Sequence, residues 1–200
     1  MKKIVSSLLL CVAMIGMANA SDKESLQKEV LSYQAVKADF AQTVTKNDGS
    51  VLSNSAGYLA LKRPDHLMMH TLDPDEQVLF TKGNVVVFYD PFVEQASLYD
   101  KKDLYSSPFL LLTSNDEKIW GQYEISKSTK GYKIVPKNTQ ELKSIELELN
   151  GKNIKAIVIC MADGNTNRYD LKNITNSVAD SVFDYTIPDG TQLDDERRSN

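Results

Sequence analysis

The chain has 200 residues, 23 of them basic and 27 acidic, giving a net charge of −4, with two cysteines, two histidines and one tryptophan. That length fits one domain and leaves little room for a second. Without a basic surplus, wrapping the phosphate backbone of DNA or RNA is excluded as a main task. So few histidines and cysteines also starve most metal sites of ligands, so no metal, cofactor or nucleic acid is expected.

Met1-Lys2-Lys3 is a short positive head, residues 4–17 are apolar, and Ala18-Asn19-Ala20 supplies small residues for cleavage. This pattern is a secretory signal peptide, cut after Ala20. The apolar run is too short to cross a bilayer core of about 30 Å comfortably. Cys11 reads as an ordinary member of that run rather than a lipid-attachment site. Cleavage removes Lys2 and Lys3 and no acid, taking the net charge to −6 and leaving Cys160 as the single cysteine. Residues 21–200 then form one domain with no internal disulfide, held together by an apolar core.

The first element is a helix. Ser21-Asp22-Lys23-Glu24 fits a capping box, and Leu26, Val30 and Tyr33 make a narrow apolar stripe. The period then changes to two: Val36, Ala38, Phe40, Gln42 and Val44 fall on one side of a strand, opposite Lys37, Asp39 and Thr43. Asn47-Asp48-Gly49 turns the chain into a strand at 58–62, which stops at Arg63-Pro64-Asp65. Further strands are predicted at 66–71, 76–81, 85–89 and 92–99, broken by Asp73-Pro74-Asp75, Lys82-Gly83-Asn84 and Asp90-Pro91.

A helical interruption follows, with Ser107 able to cap and Pro108 suited to the first helical position. Its Phe109-Leu110-Leu111-Leu112 is apolar on every side and must be covered on more than one face. Strands resume at 123–128, 132–136, 144–149, 154–161 and 166–174. Asn150-Gly151 is a favoured two-residue hairpin turn, and Ile145, Leu147 and Leu149 alternate with Ser144, Glu146 and Glu148, one dry face and one wet. So many consecutive antiparallel strands curl. The expected fold is mainly β with an α lid: an unclosed antiparallel half-barrel whose apolar concave face is covered by short helices. That concavity is either packed solid or available to a ligand.

Little in the chain suggests an enzyme. His66 and His70, four residues apart on a strand, are separated by roughly 13 Å and cannot share a metal; they read as solvent-facing. No Gly-x-Ser-x-Gly nucleophile motif, phosphate loop or zinc-spaced cysteine set is present. Asp73/Asp75 and Asp194/Asp195 sit in turn-like or terminal segments, where carboxylates are solvated. Cys160, after Ile157-Val158-Ile159, reads as buried and inert. Three features point to a cavity, each with a plainer reading. Leu59, Leu61 and Arg63 alternate onto one face, so Arg63 either finds acceptors in the concavity or reaches back to water. Leu67 and Met69 share a face, as adaptable cavity wall or as core filling. The 109–112 helix is either a mobile lid or a buried plug.

Lys62-Arg63-Pro64 and Phe88-Tyr89-Asp90-Pro91-Phe92-Val93-Glu94-Gln95 resemble the outer-membrane lipoprotein carrier family, LolA. So do Ala38-Asp39-Phe40-Ala41-Gln42, Pro74-Asp75-Glu76-Gln77, Ser107-Pro108-Phe109-Leu110-Leu111 and Leu193-Asp194-Asp195-Glu196-Arg197, in order over nearly the whole mature chain. The resemblance implies an open barrel with helical cover and a periplasmic carrier. Such a carrier takes triacylated lipoproteins from an inner-membrane ABC transporter and passes them to an outer-membrane receptor, LolB, working as a monomer. Arg63 matches the family's latch arginine, which bonds lid backbone and keeps the empty cavity closed. The candidate cavity wall is Phe40, Leu59, Leu61, Leu67, Met69, Leu79, Phe88 and Phe92, with Phe109, Leu110 and Leu111 in the lid. The chain departs from the family at Leu67 and Met69, where relatives carry aromatics, and at Asp90, often Asn. The alternative is a periplasmic lipid or glycolipid binder of the same half-barrel shape.

Overall fold

Helix α1 (Asp22–Val30) begins at the expected cap: Ser21 Oγ accepts from the Glu24 amide at 3.2 Å, and the Glu24 carboxylate accepts from the Ser21 amide at 2.8 Å. This computed structural model describes residues 21–104, 107–138 and 141–197. The signal segment, its cleavage point and Cys11 lie outside the described residues.

After α1 come β1 (Ala35–Thr45), β2 (Val51–Lys62), β3 (His66–Asp73), β4 (Gln77–Lys82), β5 (Val85–Asp90) and β6 (Gln95–Asp100). Two short helices follow, α2 (Pro108–Thr113) and α3 (Glu117–Trp120). The remaining strands are β7 (Tyr123–Ser128), β8 (Gly131–Pro136), β9 (Leu142–Asn150), β10 (Asn153–Met161), β11 (Thr166–Thr175) and β12 (Gln192–Asp195). All twelve form one sheet in the order β12-β6-β5-β4-β3-β2-β1-β11-β10-β9-β8-β7. The sheet is not closed; its two ends are β12, added parallel to β6, and β7. Among the described residues no helix is long and apolar enough to cross a membrane.

Two strand starts differ from the sequence reading by three residues or more. Strand β2 starts at Val51, because its ladder with β1 runs to Thr45 opposite Val51 while its side chains at 51–54 are exposed. Backbone pairing and a Thr43–Asn54 side-chain bond at 3.0 Å, with no apolar alternation, hold that extension. Gly57 in the same strand is required, since a Cβ there would stand 2.0 Å from the His70 carbonyl oxygen. Strand β6 starts at Gln95, because Asp90 Oδ1 accepts from the Phe92 amide at 2.9 Å and Glu94 takes a left-handed φ of 52°, making 91–94 a turn. Helix α3 and strand β12 carry no periodic signal long enough to read.

Both faces of the sheet carry apolar cores. On the concave face, residues from β1–β3, β5 and β7–β11 enclose α2 and Trp120. On the convex face, Ala60, Met68, Val78, Phe80, Val87 and Tyr89 are covered by Val178, Val182, Phe183, Tyr185 and Ile187 of the segment before β12. That segment explains why Met68 is as buried as its neighbours Leu67 and Met69. It also corrects the histidines. His66 is exposed, with its ring edge against Phe183, but His70 is half-buried between Tyr58 Oη at 3.2 Å and Glu76 Oε1 at 2.7 Å. Cys160 is likewise only half-buried: Ile157 and Ile159 point to the core, and alternation turns Cys160 outward.

The wet face of β9 is less wet than its sequence suggests. Ser144 is buried, and so is Glu148, which accepts both guanidinium nitrogens of Arg168 at 3.0 Å and Lys130 Nζ at 3.0 Å. Those bonds, Arg168 first, hold the Glu148 carboxyl down at about 2. A depressed carboxylate pKa stabilises the fold above the ordinary value near 4.5 and ceases to as pH falls through 2. Because Arg168 is a third exposed, solvent screens the pair. Glu148→Gln is therefore expected to lose about 1–2 kcal/mol at neutral pH. In urea melts the gap between the two proteins should close as pH drops below 4.5; a gap unchanged by acid contradicts the assignment.

Candidate functional site

The concave face positions its apolar side chains by simple alternation. On β2, Leu59 and Leu61 point inward with Arg63 next in the same row; on β3 the inward pair is Leu67 and Met69. Helix α2 lies against them, and every residue from Pro108 to Thr113 is buried. Ser107 precedes it without a side-chain capping bond, contrary to expectation, so packing rather than capping holds this one-and-a-half-turn helix. The Phe109 ring meets Tyr169 edge-on at 5.2 Å, and Tyr169 meets Phe40 at 5.7 Å. Burial pushes the Tyr169 hydroxyl up to about 12, and it accepts a hydrogen bond from Gln42 Nε2 at 2.9 Å. Beyond α2, the fully buried Trp120 donates from Nε1 to the Ser114 carbonyl at 3.0 Å, clamping α3 to the end of α2.

The space left over lies beside this plug. A cavity of about 80 Å³ runs between α1 and strands β1, β2 and β9–β11, walled by Leu26, Val30, Leu59, Leu61, Leu112 and Ile157. Pockets that hold drug-sized ligands are ~300–1,000 Å³. The hollow is therefore mostly filled by α2 and the side chains packed on it.

Of the predicted wall, only Leu59 and Leu61, with Arg63, touch that cavity. Phe40, Leu67 and Met69 pack in the concave core with Phe109, Leu110 and Leu111. Leu79 is partly buried against that core, and Phe88, opposite it on β5, is half-buried. Phe92 is 87% exposed on the 91–94 turn, off the concave face, because the chain turns before β6 begins. Leu26 and Val30 belong to the apolar stripe of α1 and Ile157 to the apolar run before Cys160, but nothing in one element's pattern says which faces meet around a void.

Arg63 is half-buried against α1. Its Nε donates to the Tyr33 carbonyl at 3.1 Å and its Nη2 to the Val30 carbonyl. Val30 is the last residue of α1, where orphan carbonyls and the negative end of the helix dipole favour a cation. The Arg63 amide also donates to the Gln34 carbonyl at 2.9 Å. Burial lowers the pKa of Arg63, and Asp65 nearby raises it in part. The arginine thus ties down the end of α1, not α2. Among the described residues no cluster of three or more metal-type ligands occurs.

A family model described as outer membrane lipoprotein carrier protein LolA matches residues 32–186. The chain belongs to the LolA family. An outer-membrane lipoprotein carrier protein of Photorhabdus laumondii is 37% identical over 99% of this chain and the whole of its own length. One from Pasteurella multocida is 34% identical over 95% of each chain. Among solved structures, a LolA superfamily protein from Nitrosomonas europaea aligns with a TM-score of 0.50 at 11% identity, over 83% of this chain and 99% of its own. An uncharacterised conserved protein from Thermus thermophilus gives 0.51 at 11% identity, over 86% and 99%. These two likenesses speak to the fold alone, an open sheet with helices in its hollow.

Proposed function

We propose that this protein is a periplasmic lipoprotein carrier, made with a signal peptide cut after Ala20 and working as a single domain of residues 21–200. It shelters the acyl chains of lipoproteins released by an inner-membrane ABC transporter and delivers them to the outer-membrane receptor LolB. It acts as a monomer, without a cofactor and without enzymatic turnover. The observation that carries this reading is the wholly apolar α2, seated in the hollow of an unclosed sheet beside a small apolar void. Full-length similarity to proteins named lipoprotein carriers supports it.

Acyl chains supply the driving force, about 0.8 kcal/mol per methylene withdrawn from water. Several chains together would never leave if binding cost the carrier nothing. Here binding requires α2 to leave its packed seat and Arg63 to release α1, and that cost lowers net affinity. That cost leaves hand-over to a receptor downhill, with no nucleotide.

The test uses the single tryptophan. Trp120 is fully buried against the end of α2, so displacement of α2 by cargo should shift its emission to the red. Titration with a detergent-solubilised triacylated lipoprotein should give a saturable shift, and mass spectrometry of protein purified from the periplasm should find lipoprotein. Free phospholipid alone as the co-purifying ligand, with no emission change on adding lipoprotein, would overturn the carrier reading in favour of a lipid binder.

A further inference from the structure

Among the described residues, three buried side-chain polar atoms lack a hydrogen-bond partner: Arg63 Nη1, Glu29 Oε2 and Asp65 Oδ1. Arg63 and Glu29 both line the cavity, at its polar border with Lys62 and Lys152. The Arg63 guanidinium carries five N–H donors. Its two bonds both go to carbonyls at the end of α1, and Nη1 is left dry and unused. A buried charged donor without an acceptor is costly. Opening deepens the deficit, because moving α1 away takes the Val30 and Tyr33 carbonyls with it. The guanidinium then stands at the edge of an apolar floor, immediately after Leu59 and Leu61 in the same row, in need of oxygen acceptors.

Acyl cargo brings such acceptors where they are needed. Each chain ends in the carbonyl of its linkage, and the boundary between hydrocarbon and polar linkage matches the boundary between Leu61 and Arg63. We infer that Arg63 is also a specificity residue: on opening, its fork passes from the α1 carbonyls to ester carbonyls of the glyceryl group on the lipoprotein's cysteine. The carrier thereby selects chains held as acyl esters over the same chains held as ethers. This inference rests on the carrier reading above. The ester contact returns part of what the two α1 bonds contributed, so the latch opens without stranding a charge while closure still lowers net affinity.

The experiment compares two short peptides with an S-glyceryl cysteine bearing equal short chains, one as diesters and one as diethers. Wild-type protein should bind the ester form about tenfold more tightly, as expected for a hydrogen bond to a charged donor. Arg63→Leu should bind both equally. Loss of the latch changes affinity for both probes alike, so the ratio isolates the carbonyl contact. Arg63→Gln, which keeps a donor but no charge, should retain part of the preference and serves if the leucine variant folds poorly. Independently, the carbonyl stretch of a carbon-13-labelled diester should move to lower frequency on binding wild-type protein and not on binding Arg63→Leu. A matching ester and ether pair of phosphatidylglycerol separates the two sources of ester: a preference seen only there overturns the lipoprotein assignment. Equal wild-type affinities for the two peptides, or a preference that survives in Arg63→Leu, overturn the inference while leaving the carrier reading intact. Failure of both peptides to bind would sink both.

Discussion

Arg63→Leu is expected to load lipoprotein and then keep it. The substitution removes two charge-assisted bonds to the end of α1, each contributing about 1.5–3 kcal/mol against an unbonded buried donor. Those two bonds exist in the closed form alone, and the ester contact that follows them, worth about tenfold, contributes less than the pair, so their loss still shifts the balance towards the open form. The apparent affinity for acyl chains then rises, about tenfold for every 1.4 kcal/mol removed from the closed state. A carrier that binds more tightly gives up less. Hand-over to a receptor, measured as transfer of labelled lipoprotein from the preloaded variant to LolB, should fall at least tenfold while uptake stays near normal. Leucine keeps the apolar stem's volume, so a general loss of fold does not explain such a split. Normal hand-over would end the latch assignment.

The latch shows how far one sequence carries a structural argument. Alternation puts Leu59, Leu61 and Arg63 on one face, and all three line the same cavity. What Arg63 touches was not legible, because its acceptors are backbone carbonyls thirty and more residues away and backbone atoms leave no sequence signature. The same reason hides the β2 extension, which is held by ladder bonds between exposed residues. Phe92 falls outside the hollow because the Asp90-Pro91 turn runs on, held by the Asp90 carboxylate at Phe92 and by the Pro91 carbonyl at Glu94. Phe40, Leu67 and Met69 were recognisable as concave, yet whether a concave residue faces a void or a helix is decided by α2, a segment too short to position from periodicity. The convex core escaped for a related reason: Val178, Val182, Phe183, Tyr185 and Ile187 have no regular period, and only their shared neighbours on β3–β5 make them a surface.

Whether α2 is a lid or a fixed plug is open to a direct test at Leu111, which is completely buried at the centre of that helix. Leu111→Ala deletes three side-chain carbons from a packed site and should lower stability by about 2–5 kcal/mol. If α2 moves, this loss falls on the closed form, because in the open form the helix has already left its seat. The fraction of binding-competent protein then rises, and affinity for acyl peptide should increase tenfold or more until the open form predominates. Thermal unfolding and a Trp120 titration on the same sample read both effects. A lower melting temperature with tighter binding is the signature of a cover that competes with cargo for one apolar hollow. A lower melting temperature with proportionately weaker binding would instead make α2 part of the rigid core, and the void of about 80 Å³ beside it would then be too small for acyl cargo.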